Sequence, residues 1–135
     1  IGKTDVGRYV SIADNVSIGN GEHDIHRVST SSLFYLDPYN DLTKGHCVIE
    51  SDVWIGVDAI VRRGVTVGFG GVIGANSFVN RDVPAFAIVV GSPARIIGYR
   101  FQESAQEKIL ASKWWELPPK QAAKAISALE TGMGI

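Results

Sequence analysis

The stretch Gly19–Thr30, GNGEHDIHRVST, holds His23 and His26, two of the chain's three histidines, with Asp24 between them. An imidazole titrates near about 6.5, so it can take a proton from a hydroxyl at neutral pH. Its second nitrogen must then be held by an acceptor to fix the tautomer. Position alone leaves both histidines open between that role and that of ordinary surface-loop residues. Arginine suits a phosphate through paired donors. Single surface arginines are more often simply solvated. Cys47 is the one cysteine, and as a nucleophile it needs a basic neighbour. His46 is adjacent, but neighbouring side chains on an extended backbone point apart.

The elements that position these groups are written in a repeat. Ile49, Ile55, Val61, Val67, Ile73 and Val79 are each six residues apart. Four residues after each come Val53, Ala59, Val65, Gly71, Ser77 and Val83, all small or modest in size. Gly56, Gly68 and Gly74 directly follow three of the aliphatic positions, and Val6, Ile12 and Ile18 repeat the same spacing earlier. A six-residue unit suits one short strand and one corner, with the aliphatic residue inward and the small residue in the crowded turn. Three units make one triangular winding. Stacked windings pair their strands in parallel at about 4.7–4.9 Å, and each buries its face only against its neighbours.

Residues 20–48 break the pattern. They carry the turn signal Asp37-Pro38-Tyr39-Asn40-Asp41 and the apolar cluster Leu33-Phe34-Tyr35-Leu36. Long excursions are usually functional or disordered, and the aromatic cluster predicts a packed loop. The register slips again at Val83-Pro84-Ala85, and Val90-Gly91-Ser92-Pro93-Ala94 reads as a last partial unit. After about residue 99 the period becomes helical, with one helix expected over 103–113 and a second opening at Pro118-Pro119. Trp114 and Trp115 lie between them and read as anchors of this tail. The tail is expected to cover the open end of the stack.

The 135 residues fit one domain, expected as a repeat body over 1–98 and a helical tail over 99–135. A net charge of -1 removes the electrostatic case for nucleic acid or an anionic membrane as a partner. A single cysteine demands no oxidising compartment. No apolar run approaches the roughly 18 residues of a spanning helix, no signal-peptide pattern opens the chain, and a cytoplasmic location is expected. The chain starts at Ile1, already inside the pattern, so upstream residues are expected.

The hexad pattern resembles that of the hexapeptide-repeat acyltransferases across 1–98, which implies an all-β, left-handed parallel β-helix with a protruding loop and a C-terminal helical tail. The hand is the family's property and runs against the usual right-handed crossover. "GEHDIHRVSTSSLFY" further resembles the loop of the xenobiotic acetyltransferase branch, roughly G-x-H-x-x-x-x-x-S-[ST]-x-P-[FL]-[FY]. "SDVWIG" (51–56), "IGANSFVNRDVP" (73–84), "VVGSPARII" (89–97) and Lys113–Pro118 match that branch too. One departure is visible: Leu33 stands where the family often has proline.

The resemblance implies direct transfer from acetyl-CoA to a hydroxyl, with a histidine general base six residues before the Ser of "ST". That residue is His23; His26 lies three before Ser29 and matches no family position. A backbone carbonyl holds the second nitrogen in the family. Trp54, Ala75, Asn80, Arg81 and Arg95 match positions that contact the coenzyme, the arginines near its phosphates. Asp24, His26, Phe34 and Tyr35 are expected around the acceptor. The family often carries one more basic residue where Gly98 stands; Arg100 is a substitute candidate, and Arg62 and Arg63 read either way. A homotrimer with sites between subunits is implied. A sugar or polysaccharide-precursor hydroxyl is the expected acceptor, with an antibiotic such as chloramphenicol or a streptogramin as the alternative.

Two rivals are weighed against this reading. A γ-class carbonic anhydrase shares the β-helix and binds zinc through three histidines, two of them five apart. The spacings of three and twenty among His23, His26 and His46 do not match, so no metal site is expected. A non-catalytic structural β-helix has no use for the histidine loop together with Trp54 and Arg95.

Overall fold

The computed structural model describes residues 1–135. The chain winds so that successive short strands fall in three sheets in rotation. β1 (Thr4–Val6), β4 (Cys47–Ile49) and β7 (Thr66–Val67) form the first sheet. β2 (Ser11–Ile12), β5 (Trp54–Ile55), β8 (Val72–Ile73), β10 (Ala87–Gly91) and β11 (Ala94–Tyr99) form the second, and β3 (Ser17–Ile18), β6 (Ile60–Val61) and β9 (Phe78–Val79) the third. Every pair is parallel except β10 with β11.

The register explains the repeat. Ile12, Ile55, Ile73 and Val89 pair in one column, Val6, Ile49 and Val67 in a second, and Ile18, Val61 and Val79 in a third. These aliphatic columns point inward and form one core with Val53, Ala59 and Val65 from the corners and with Val83, which bridges Val67 in the first sheet. Val6 and Ile12, in the first winding, stay exposed.

Most corners turn through a residue with positive φ, and those residues stack. Tyr9, Asp52, Gly70 and Phe86 form one column and Asn15, Asp58 and Asn76 another. Asn and Asp tolerate this region because their short polar side chains bond locally; the Asn15 amide donates to the Asp58 carboxylate at 2.6 Å. Gly68 answers a different demand. A Cβ there would sit 2.6 Å from the Ala85 nitrogen and 2.9 Å from the Val83 carbonyl oxygen, which are backbone atoms that cannot swing aside. Gly68→Ala is therefore expected to cost about 1–3 kcal/mol by overpacking, read as a lower midpoint in denaturant unfolding; an unchanged midpoint would show that the windings can spread.

The structure departs from the sequence expectations in four places. The excursion ends at His46, because Cys47 and Val48 pair with β1 and re-enter the first sheet. Residues 90–94 are no partial unit: β10 and β11 pair antiparallel around Gly91–Ala94 and form a hairpin at the edge of the second sheet. The loop's apolar cluster is not packed, since Leu33, Phe34 and Leu36 are exposed together with Ile25 and Val28. The tail does not cross the end of the stack. α2 (Glu103–Ser112), a short 3₁₀ turn (Trp114–Glu116) and α3 (Pro119–Met133) run back along the corner column. They are held there because that corner carries Tyr9, Phe69 and Phe86, which receive Trp114 and Trp115. The Tyr9 hydroxyl and the Arg8 guanidinium, both in the first winding, donate to the carbonyls of Leu117 and Glu116 at 2.7 and 2.9 Å. No helix is long and apolar enough to cross a membrane.

Candidate active site

Gly19 takes φ +68° where the chain leaves the third sheet, and a Cβ there would meet the Thr4 hydroxyl at 3.2 Å and the Cys47 sulfur at 3.4 Å. The excursion that follows is closed on itself by a bond from the Glu22 N–H to the Leu42 carbonyl at 2.9 Å. It contains a 3₁₀ turn (Ser32–Phe34) and α1 (Pro38–Leu42). Asp37 caps α1 by accepting from the Asn40 N–H, and the Asn40 side chain and backbone bonds hold the Asp37 carboxyl below the usual carboxylate range.

His23 is exposed, and its Nδ1 bonds the Thr30 carbonyl. A carbonyl only accepts, so Nδ1 carries the hydrogen and Nε2 is left with a free lone pair. The run Ser29-Thr30-Ser31-Ser32 supplies the turn that aims this carbonyl. The Ser29 hydroxyl accepts from the Ser31 N–H at 3.1 Å, and the Ser31 hydroxyl from the Leu33 N–H at 3.3 Å. Tyr35 stands edge-on to the imidazole, its centroid 6.3 Å away, and its hydroxyl accepts from the Asp24 N–H at 2.7 Å. Arg27 lies over the Tyr35 ring, its guanidinium carbon 4.5 Å from the centroid, and donates to the Phe34 carbonyl. The Asp24 carboxylate is turned to its own loop, accepting from the His26 N–H at 2.9 Å.

His23, Asp24, His26 and Tyr35 line one open concavity of about 560 Å³. Phe34 does not line it and projects to solvent. Nearly all of the lining is polar or charged, with Glu22, Arg27, Asp41, Lys44, Arg62 and Arg63 around the histidines. Such a surface fits a hydroxyl-rich acceptor better than an apolar one.

Glu22, Arg62 and Arg63 were not assigned to a site from the sequence. The Glu22 carboxylate accepts from Arg62 Nε at 2.7 Å and Nη2 at 2.8 Å, a two-pronged pair. Arg63 Nε lies 3.3 Å from the same carboxylate. The Arg62 hydrogen bond, helped by the charges of both arginines, holds Glu22 below the usual carboxylate range against the raising effect of burial. Forty residues separate Glu22 from Arg62, and nothing in a sequence pairs them.

The residues expected at the coenzyme fall elsewhere. Asn80, Arg81 and Arg95 line a second cavity of about 240 Å³ with Val83, Val89 and Ala94. Neither arginine meets a carboxylate in a salt bridge, and Arg95 donates only to the neighbouring Ala94 carbonyl. The buried Asn80 Oδ1 has no donor. The Asp82 carboxylate lines the same cavity, and two exposed guanidiniums outside any salt bridge with an orphaned acceptor beside aliphatic side chains suit a phosphate-bearing, amide-containing chain. Trp54 is 56% exposed on β5, between Ser11 and Val72 in the register. Ala75 follows Gly74 at the exposed corner after β8. Both lie outside the two cavities.

Three further candidates are placed by their partners. Arg100 is committed to Asp52 at 3.0 Å and the Gly70 carbonyl at 2.9 Å, on the corner that holds the tail, and does not stand with Arg95. Cys47 is fully buried, its thiol donating to the Arg62 carbonyl. His46 Nε2 is 2.8 Å from Asp5, at the far end of the excursion from His23.

No protein-family model matches the chain. It is 34% identical over 138 residues to a chloramphenicol acetyltransferase of Agrobacterium fabrum, covering 94% of this chain and 66% of that protein. It is 30% identical over 149 residues to a probable macrolide acetyltransferase of Lysinibacillus sphaericus, covering 98% of this chain and 80% of that one. Among solved structures it resembles a galactoside acetyltransferase in complex with coenzyme A, with a TM-score of 0.56 and 29% identity over 74% of this chain and 50% of that one. The chain thus spans about two thirds of the length of the first curated relatives it matches and about half of that solved structure.

Proposed function

The chain belongs to the hexapeptide-repeat acetyltransferases, in the branch of the chloramphenicol and macrolide enzymes, and on that premise we propose that it moves an acetyl group from acetyl-CoA to a hydroxyl of a sugar or polysaccharide precursor. The observation that carries the mechanism is the Nδ1 bond of His23 to the Thr30 carbonyl, which leaves Nε2 free at the edge of a polar concavity. There Nε2 takes the hydroxyl proton while the acceptor oxygen bonds the acetyl carbonyl carbon and the carbon–sulfur bond breaks. His23 then returns the proton to the departing sulfur. Acetyl-CoA supplies the activated acyl group. Arg81 and Arg95 would hold its phosphates, Asn80 and the backbone at Ala75 its pantetheine amides, and Trp54 its apolar length. A cytoplasmic location accords with that co-substrate.

We read the three-sheet winding as the family's left-handed β-helix, and the enzyme as a homotrimer with sites between subunits. Two observations support the trimer. The base and the arginines line separate concavities of one chain, and the excursion carries Ile25, Val28, Leu33 and Leu36 bare to solvent, as a segment docking on a second copy would. Light scattering is expected to give three times the chain mass, and a stable active monomer would overturn the assembly.

The acceptor concavity favours a hydroxyl-rich substrate, with Asp24, His26 and Tyr35 around it. The likeness to a chloramphenicol acetyltransferase over most of the chain favours the second reading, an antibiotic hydroxyl. A panel of sugars, sugar nucleotides, chloramphenicol and a streptogramin, followed by release of free thiol from acetyl-CoA, separates the two. Turnover confined to the antibiotics would replace the first reading, and no turnover with any hydroxyl would sink both. On the coenzyme side, Arg81→Ala and Arg95→Ala are each expected to weaken acetyl-CoA binding about 10–100-fold, a lost charge-assisted contact contributing about 1.5–3 kcal/mol. Calorimetry checks this, and unchanged affinity would move the phosphates elsewhere.

A further inference from the structure

We propose that Glu22, gripped by Arg62 and Arg63, is a positioning residue for His23: it pins the excursion to the corner of the third sheet so that the imidazole keeps one place. The inference rests on the reading of His23 as the general base. The immediate partners of the ring, the Thr30 carbonyl and Tyr35, belong to the same excursion and move with it. The place of the ring relative to the sheets is therefore set by how the excursion is attached, and the attachment next to it in the chain is Glu22.

That attachment is directional. A guanidinium presents two parallel N–H groups to the Glu22 carboxylate at 2.7 and 2.8 Å, which fixes angle as well as distance. The same corner grips the other end of the excursion. Arg63 Nη1 donates to the Lys44 carbonyl, while the Glu22 N–H donates to the Leu42 carbonyl. Arg62 itself is rigidly based, since it follows β6 and its N–H donates to the Val79 carbonyl at 2.9 Å. An ion pair this exposed adds little to stability, so its consequence is expected in turnover. A displacement of about an ångström at a reacting group costs on the order of 100-fold in rate.

The test measures kcat and, by calorimetry, acetyl-CoA affinity for Glu22→Gln, Arg62→Gln, the double variant and His23→Ala. Each single clamp variant is expected to lower kcat about 10–100-fold with acetyl-CoA affinity unchanged. The double variant should be no worse than either single one, because the two residues act through one contact. Wild-type kcat in Glu22→Gln, multiplied losses in the double variant, or a loss of coenzyme affinity that matches the loss of kcat would each overturn the clamp. If Glu22→Gln fails to fold, Arg62→Gln reads the same contact from the coil side. Full activity in His23→Ala would sink the base itself; abolished activity there beside normal Glu22→Gln would sink the clamp alone.

Discussion

His23→Ala is expected to lower kcat by about 10²–10⁴-fold, the range over which a positioned general base contributes, while acetyl-CoA binds with unchanged affinity. The split follows from where the groups lie. His23 lines the excursion's concavity, and Asn80, Arg81 and Arg95 line another. Removing an exposed imidazole leaves the second cavity untouched and costs little stability. Its partners are a backbone carbonyl, which water can satisfy in its place, and the edge of Tyr35. Free-thiol release and calorimetry on one preparation measure both quantities. Retained turnover would show that another group takes the proton, and lost coenzyme affinity would place His23 in the coenzyme site instead. His26→Ala is the internal control. The His26 N–H donates to the Asp24 carboxylate through its backbone, so that bond survives the substitution, and only a milder loss in acceptor handling is expected.

Phe69→Ala is expected to cost about 3–5 kcal/mol. Phe69 is buried on the corner column and joins winding and tail, with ring centroids 4.2 Å from Trp115, 5.4 Å from Phe86 and 6.4 Å from Trp114. Its loss opens a cavity at the centre of the aromatic cluster that joins the two layers. The backbone N–H of Phe69 donates to Glu50 and would survive the substitution. The tail should loosen first, so limited proteolysis is expected to cut within 99–118 before the windings are attacked. A lowered midpoint in denaturant unfolding with early cleavage there fits this account. An unmoved midpoint would mean that the Tyr9 and Arg8 bonds to Leu117 and Glu116 hold the tail without the aromatics.

The repeat was legible because burial there is periodic. An aliphatic residue every six positions has one way to stay dry in this fold, and the observed columns run through those positions from Ile49 to Val79. The helices of the tail were legible for the same reason, with Ala122, Ala125, Ile126 and Leu129 turned onto one face. What escaped lies between elements. An antiparallel return at Gly91–Ala94 uses residues that also fit a last partial hexad, and the pairing of β10 with β11, from Ala87 with Tyr99 to Gly91 with Ala94, separates the two. The apolar residues of the excursion read as a packed cluster because composition does not say against what they pack. The carbonyl that holds His23 was expected only in kind, since spacing does not select Thr30.

The sequence by itself determined the six-residue period, the aliphatic positions that face inward, the place where the chain leaves the repeat and the histidine six residues before Ser29. Those features are local or periodic, and each residue's type carries its own reason. Only the tertiary structure decided that Thr30 turns its carbonyl to that histidine, that Glu22 meets Arg62, that Arg100 serves Asp52 and not the second cavity, and that the tail runs back to Tyr9. Each of these is a contact between residues whose separation is set by the stacking of windings or the closure of a loop. A charge or a ring in a sequence has many possible partners, and the geometry of the folded chain selects one.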